Sequence, residues 1–469
     1  MTTIGDGRLP QSPIDRGPVS AHSIFGTDGI RGRAGEGWLA QDKVQRLGWA
    51  LAKVLGEAQG SGVRQALIGH DGRRSGPGLV EALSRGLGGA GFDAVTTGLV
   101  TTPGLAWLTR AGDFEIGAMI SASHNPAADN GIKVFSGNGE KLSDELQARV
   151  EELLMNPPDE LPLGEDAQSA TALEEAYLER LLELANGMKL DGVVIALDCA
   201  NGGGSRVAPR VFGRLGAQVH SMASEPDGEN INFECGSTHP EALCREVRSR
   251  GARLGIALDG DGDRCILVDE NGELVHGDGI MTVLARHAAN TGSYEDPRIV
   301  ATVMSNRGLH RALREVGVGV VEVGVGDRQV VDGLRRENLH LGGEQSGHII
   351  LGAENHYIGD GILTALSVLR VMQGEGRPLS ELAAPYQPMP QVLLNVPVSD
   401  KPSFTGLPHI VDLVRAIEEE LGDDGRVLLR YSGTEPLARV MVEGTDPTHI
   451  QDRAKDLASC IEREIGASS

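Results

Sequence analysis

The residues best suited to chemistry fall in two short stretches. The first is Ser121-Ala122-Ser123-His124-Asn125-Pro126, which follows Phe114–Ile120, a run whose apolar residues alternate as in a half-buried strand. A strand that ends in two hydroxyls, an imidazole and an Asn-Pro turn signal sets those groups at a sheet edge, where pockets form. The second stretch is Asp259-Gly260-Asp261-Gly262-Asp263-Arg264, again at the end of an apolar run, Leu254–Leu258. Carboxylates at i, i+2 and i+4, separated by glycines, can curl round one hard cation. Left uncompensated they would repel, so a cation is the economical explanation. Mg²⁺ suits such oxygen ligands and commonly completes its shell with a phosphate oxygen. Taken alone, the serine stretch also reads as a polar turn, and the aspartate loop as a surface acidic turn or a Ca²⁺ site. An EF-hand does not fit, because Arg264–Val268 runs straight into a strand with no flanking helix pair.

Other groups have a use beside a phosphate or a sugar. Phe25-Gly26-Thr27-Asp28-Gly29-Ile30-Arg31-Gly32 joins glycine N–H groups to an arginine, as an oxyanion cradle would. Lys133 lies close in sequence to the serines and could stabilise phosphoryl oxygens or act in proton transfer. Gly343-Glu344-Gln345-Ser346-Gly347-His348 offers a carboxylate, a hydroxyl and an imidazole to sugar hydroxyls or an amine. Arg430-Tyr431-Ser432-Gly433-Thr434-Glu435, with Arg439 beyond, suits a phosphate dianion gripped by arginine forks. The first three also have a plain structural reading: a glycine turn, a surface lysine, a loop histidine. Asp71 and Arg73 read as a structural pair that holds a loop. Cys199-Ala200-Asn201-Gly202-Gly203-Gly204 lacks nucleotide-loop spacing and reads as a tight βα turn.

Short apolar runs alternate with helical patterns through most of the chain, which is βαβ patterning and predicts a parallel or mixed sheet covered by helices. Val44, Leu47, Leu51 and Val54 make one helix face; Ile410, Val414 and Ile417, then Ile450, Ala454, Leu457 and Ile461, make two more near the C-terminus. Asn271-Gly272 predicts a hairpin. A chain of 469 residues exceeds one core and suggests three or four domains. With 43 Lys and Arg against 66 Asp and Glu, the net charge of −23 disfavours nucleic acid and anionic membrane, so an anionic substrate needs a locally basic pocket. Five cysteines without C-x-x-C spacing argue against disulfides and zinc and fit a reducing compartment. With no apolar run long enough for a membrane span and no signal-like start, the expected location is cytoplasmic.

Together these motifs resemble those of the α-D-phosphohexomutases, in the same order over about residues 25 to 443. The resemblance implies an α/β fold of four domains, three similar α/β units plus a C-terminal α+β domain around a central cleft. The expected divisions are a disordered tail over 1–23, then domains at 24–160, 170–273, 274–386 and 387–469. It implies that Ser123 is a phosphoserine that lends its phosphoryl group to a sugar phosphate. One Mg²⁺ per chain would be held by Asp259, Asp261, Asp263 and the Ser123 phosphoryl group. Arg31, His124, Lys133 and His348 would serve the transfer, while Arg264, Glu344 and Ser346 bind substrate. Arg430, Ser432, Gly433, Thr434 and Arg439 would bind the non-reacting phosphate.

Gln345 resembles the branch that interconverts glucosamine 6-phosphate and glucosamine 1-phosphate through a 1,6-bisphosphate, for UDP-N-acetylglucosamine synthesis; the glucose and mannose phosphate branch usually has Met there. Glucosamine 1,6-bisphosphate or glucose 1,6-bisphosphate is the implied primer, and a homodimer is compatible with the family. The alternatives are a phosphomannomutase/phosphoglucomutase, a metal-dependent sugar phosphatase and a sugar-phosphate sensor. Two departures from the pattern are Arg307, where an apolar residue is expected, and the long start before Ile24.

Overall fold

The computed structural model describes residues 24–26, 28–56, 64–422, 425–432 and 436–467. The expected tail over 1–23 and two expected phosphate ligands, Gly433 and Thr434, lie outside them. The chain divides into two compact units: Ile24–Ser305 with Ala312–Tyr386, and Asn306–Arg311 with Gln387–Ser469.

The larger unit contains three sheets. In the first, six strands run in the order Ile30–Arg33, Asp129–Ser136, Ile116–Ile120, Gln65–His70, Asp93–Leu99, Gln168–Ser169. Gln65–His70 pairs in parallel with both Asp93–Leu99 and Ile116–Ile120, whereas Asp129–Ser136 is antiparallel to its neighbours. The second sheet has five strands, with Val194–Asp198 parallel to Leu254–Leu258. Its edge is the expected hairpin, Cys265–Val268 against Leu274–Val275. The third has four short strands, including Ile299–Thr302 and the Gly342–Gly343 and Ile349–Ile350 pair that brackets Glu344–His348.

One local expectation changes. Ile116–Ile120 is buried along its whole length, rather than on alternate residues. It lies inside the sheet, and strands covered on both faces carry near-continuous apolar runs. Leu51, Leu83, Ile68, Ile116 and Ala118 belong to the core that joins this sheet to the helices Gln41–Gly56 and Gly76–Gly89.

The strands that matter for function end together. Asp71, Ser121 and Asp259 each follow the carboxyl end of a strand, and Asp198 closes one. Carboxyl ends of strands are where α/β sheets bind ligands, because the chain there leaves the ladder and turns its polar groups outward.

The C-terminal unit has one antiparallel sheet, Gln391–Pro397, Leu437–Glu443, Arg426–Tyr431 in that order. Helices Pro408–Leu421 and Pro447–Ile465 bury Ile410, Ile417, Ile450, Leu457 and Ile461 in its core, as their spacing predicts. Arg307 is half-buried in this unit, and its N–H donates to Glu443 Oε1 at 2.6 Å. Glu443 also pairs with Arg426.

Candidate active site

Ser123 and the aspartate loop are 136 residues apart in sequence and meet at bonding distance. The Ser123 hydroxyl donates to Asp259 Oδ2 at 2.6 Å and is almost fully buried. Ligand atoms of Asp259, Asp261 and Asp263 lie within 4.8 Å of one another. Two glycines make this possible. Gly262 sits at φ +70°, where a side chain is strained, and a Cβ on Gly260 would come within 2.6 Å of the Ser123 carbonyl oxygen.

The charges around the triad are arranged in a chain. Lys133 Nζ, 1% exposed at its side chain, lies 2.8 Å from Asp261, 3.1 Å from Asp263 and 3.0 Å from Asp28. Burial opposes its charge, but the three carboxylates more than reverse this and hold its pKa well above the ordinary lysine value. Asp28 also pairs with Arg31 and Lys141, and Lys141 reaches Asp327. Arg264 Nε lies 3.8 Å from Asp263 and 4.0 Å from Asp259.

The aspartates divide in response. Burial, then the Asp263 and Asp261 carboxylates, push Asp259 well above the usual carboxylate range. Burial acts the same way on Asp263, but Lys133 and His348 outweigh it and hold it well below that range. His348 Nδ1 is 3.6 Å from Asp263 Oδ1, and the Asp263 carboxylate raises its pKa against the effect of burial. His124, whose Nδ1 is 3.4 Å from Ser123 Oγ, is pushed down to about 4 by burial and by Arg264 and Arg31.

This donor set fits a hard cation. Asp261 Oδ2 is occupied by Lys133 and by the Thr102 hydroxyl at 2.5 Å, while its Oδ1 is buried without a hydrogen-bond partner. A carboxylate pinned through one oxygen presents the other to a metal. Three buried carboxylates, one driven toward its neutral form, are the environment that a divalent ion would relieve.

The Glu344–His348 turn belongs to the same unit. Glu344 Oε1 accepts from the Gly326 N–H at 3.2 Å, and its charge is felt by Arg264 and His348. Ser346 is exposed in that turn. A cavity of about 350 Å³ beside it is lined by Asp263, His348, Asp327, Arg328, Lys141 and Tyr357 among others. In the C-terminal unit, Arg430 and Arg439 sit opposite each other on adjacent strands. Ser432 follows and is buried, its carbonyl accepting from Lys401 Nζ at 2.5 Å.

Four family models cover most of the chain: phosphoglucomutase/phosphomannomutase alpha/beta/alpha domain I over residues 22–159, domain II over 175–272, domain III over 276–389 and the C-terminal domain over 393–459. The phosphoglucosamine mutase of Moorella thermoacetica is 47% identical over 92% of this chain and 97% of its own. That of Anaeromyxobacter sp. is 41% identical over 99% of each. The chain belongs to the phosphoglucomutase/phosphomannomutase family, in its phosphoglucosamine mutase branch. The solved structure of a family protein from Burkholderia thailandensis, 24% identical, matches 95% of the chain and 99% of its own with a TM-score of 0.77. The mutase is thus an isomerase, an intramolecular phosphotransferase, with three α/β/α domains and a C-terminal domain. Among the described residues no helix is long and apolar enough to cross a membrane.

Within the mutase site, sequence reasoning gave no role to several groups. Asp28 stands inside the Phe25–Gly32 glycine motif, yet only the fold shows it bridging Arg31, Lys133 and Lys141. Thr102 follows the N-cap Thr101 of helix Thr102–Ala111, and its N–H and hydroxyl both bond Asp261. The Thr-Thr-Pro-Gly helix start was a readable signal; its partner 159 residues away was not.

Proposed function

We propose that this chain interconverts glucosamine 6-phosphate and glucosamine 1-phosphate through a phosphoryl group carried on Ser123. The observation that carries the reading is the buried Ser123 hydroxyl bonded to Asp259 in a three-aspartate loop, with Lys133 and Arg264 beside it. The relatives named phosphoglucosamine mutase, together with Gln345, support the choice of amino sugar.

In the forward direction the substrate O1 attacks the Ser123 phosphorus in line. The serine O–P bond breaks as the O1–P bond forms, and the O1 proton passes to a base. The bisphosphate then turns over, and its O6 phosphoryl group returns to Ser123. Arg31 and Arg264 offset charge spread over the equatorial oxygens. Lys133 favours the ionised form of Asp263. His124, neutral above about pH 4, and His348, whose charged form Asp263 favours, are the candidates to move protons. Glu344 and Ser346 bind the sugar, and Arg430, Ser432, Gly433, Thr434 and Arg439 its distal phosphate. Asp259, Asp261, Asp263 and the Ser123 phosphoryl oxygen would hold Mg²⁺, which supplies Lewis-acid charge at the leaving oxygen. A structural relative from Aspergillus fumigatus, an N-acetylphosphoglucosamine mutase, was solved with GlcNAc-6P and magnesium; at 18% identity and a TM-score of 0.66 it shows the fold alone.

The test is ³¹P NMR of enzyme with Mg²⁺, a trace of glucosamine 1,6-bisphosphate, and glucosamine, glucose or mannose 6-phosphate in competition. The reading expects the glucosamine pair to equilibrate first. Preference for glucose or mannose phosphate would move the assignment to the phosphoglucomutase/phosphomannomutase branch, and steady release of inorganic phosphate would favour a phosphatase.

A further inference from the structure

The active serine is clamped at both of its peptide groups by buried side chains for which the reaction scheme gives no role. Ser123 has φ +53°, in the left-handed region that residues with a Cβ avoid. Its N–H donates to Ser121 Oγ at 2.8 Å. Its carbonyl accepts from Arg73 Nη2 at 2.9 Å and from Asn232 Nδ2 at 2.9 Å. Arg73 is wholly buried, and its guanidinium also donates to the carbonyls of Asn125, Pro126 and Asp129. Asp71 aims both halves of the clamp, because its Oδ2 accepts from Arg73 Nε at 2.9 Å and from the Ser121 hydroxyl at 2.6 Å. Asn232 arrives from the second α/β/α domain, is itself left-handed at φ +57°, and also bonds the Asn125 carbonyl at 3.1 Å.

We infer that Arg73, Ser121 and Asn232 are positioning residues for phosphoryl transfer, holding Ser123 in the left-handed conformation that aims its hydroxyl at Asp259. This rests on Ser123 being the phosphoryl carrier. A strained conformation persists only where its surroundings over-determine it, and three donors or acceptors on one residue's backbone do that. Turning the Ser123 carbonyl inward to the guanidinium directs the side chain the other way, toward the aspartate loop. A loop that needed only stability would be served by any satisfied partners. Here four donations from one guanidinium converge on the serine segment, and a second domain adds its own.

The test uses full-length enzyme, phosphorylated with glucosamine 1,6-bisphosphate, as wild type, Ser121→Ala, Asn232→Ala and Arg73→Lys. Single turnovers with glucosamine 6-phosphate follow Ser123 phosphate by peptide mass and its partition between sugar bisphosphate and inorganic phosphate. Ser121→Ala and Asn232→Ala should slow transfer by about 10- to 100-fold, the scale of a small misplacement of a reacting group, with KM little changed and a larger share of phosphate lost to water. Arg73→Lys keeps the charge without the planar fork and should slow transfer further. If it does not fold, the other two variants decide. Variants that unfold at lower temperature yet keep the wild-type transfer rate and partition would overturn the inference and leave the clamp structural. A wild type that never carries phosphate on Ser123 would overturn both the inference and the reading it rests on, and the wild-type arm identifies that case.

Discussion

The proposed reacting centre around Ser123 and the proposed phosphate site around Ser432 are built by opposite means. Around Ser123, the working groups come from sequence-distant loops and are buried: Lys133 reaches Asp261 across 128 residues, and Ser123 reaches Asp259 across 136. Around Ser432, the groups come from one hairpin, with Arg430 directly opposite Arg439 on paired strands. Burial makes charge in the first region costly unless compensated, so each carboxylate there has an assigned cation or hydroxyl. The hairpin's arginines are only half-buried. The contrast predicts that changes at the first site act on the chemical step and on folding, and changes at the second act on binding.

The largest expected effect is at the serine. Ser123→Ala should reduce mutase turnover by about 10⁴-fold or more, since nothing then carries the phosphoryl group, and a coupled glucosamine 1-phosphate assay reads it. A phosphatase would keep releasing phosphate from that variant. Next is Lys133→Met, which removes the cation shared by three carboxylates. Removing one partner of a buried ion cluster costs about 3–5 kcal/mol, so denaturant unfolding should show a loss of that size alongside at least a ~100-fold fall in kcat. Added Mg²⁺ should recover part of the stability if the triad binds it.

A pH series separates the regions further. Asp198, buried at a strand end with both oxygens on backbone N–H groups, is pushed up to about 6 by burial. Between about pH 4 and 6 the folded chain holds this proton when the unfolded chain has released it. The stability linked to Asp198 is therefore fully present below about pH 4 and lost as the pH rises through about 6. The expected difference is on the order of 3 kcal/mol, seen as a stability slope that Asp198→Asn removes. The smallest effect belongs to the hairpin. Arg430→Ala or Arg439→Ala should raise KM for glucosamine 6-phosphate by about 10-fold, the worth of one charge-assisted hydrogen bond, with unfolding unchanged. A kcat loss with constant KM there would erase the distinction.

What could be read from the sequence follows the same division. Local signals were legible: the apolar faces of the two C-terminal helices, the Asn271-Gly272 hairpin, and the Gly-separated aspartates whose spacing itself describes a ligand loop. The resemblance supplied the order of the domains. Long-range partners were not legible, because no spacing rule ties Thr102 to Asp261 or Asn232 to the Ser123 carbonyl. Asp71 and Arg73 show the limit well. As a pair they read as a structural brace, and only the fold reveals that the brace grips the backbone of Ser123. Strand Ile116–Ile120 was mistaken in its burial pattern because alternation cannot report how many layers cover a sheet.

The most direct test of the central claim is intact mass and peptide mapping of the purified enzyme before and after glucosamine 1,6-bisphosphate with Mg²⁺, beside Ser123→Ala. The account predicts one phosphoryl group per chain, located on Ser123, that leaves to glucosamine 6-phosphate in a single turnover and is absent from the variant. A wild-type Ser123 that stays unmodified while the mutase still turns over would contradict it.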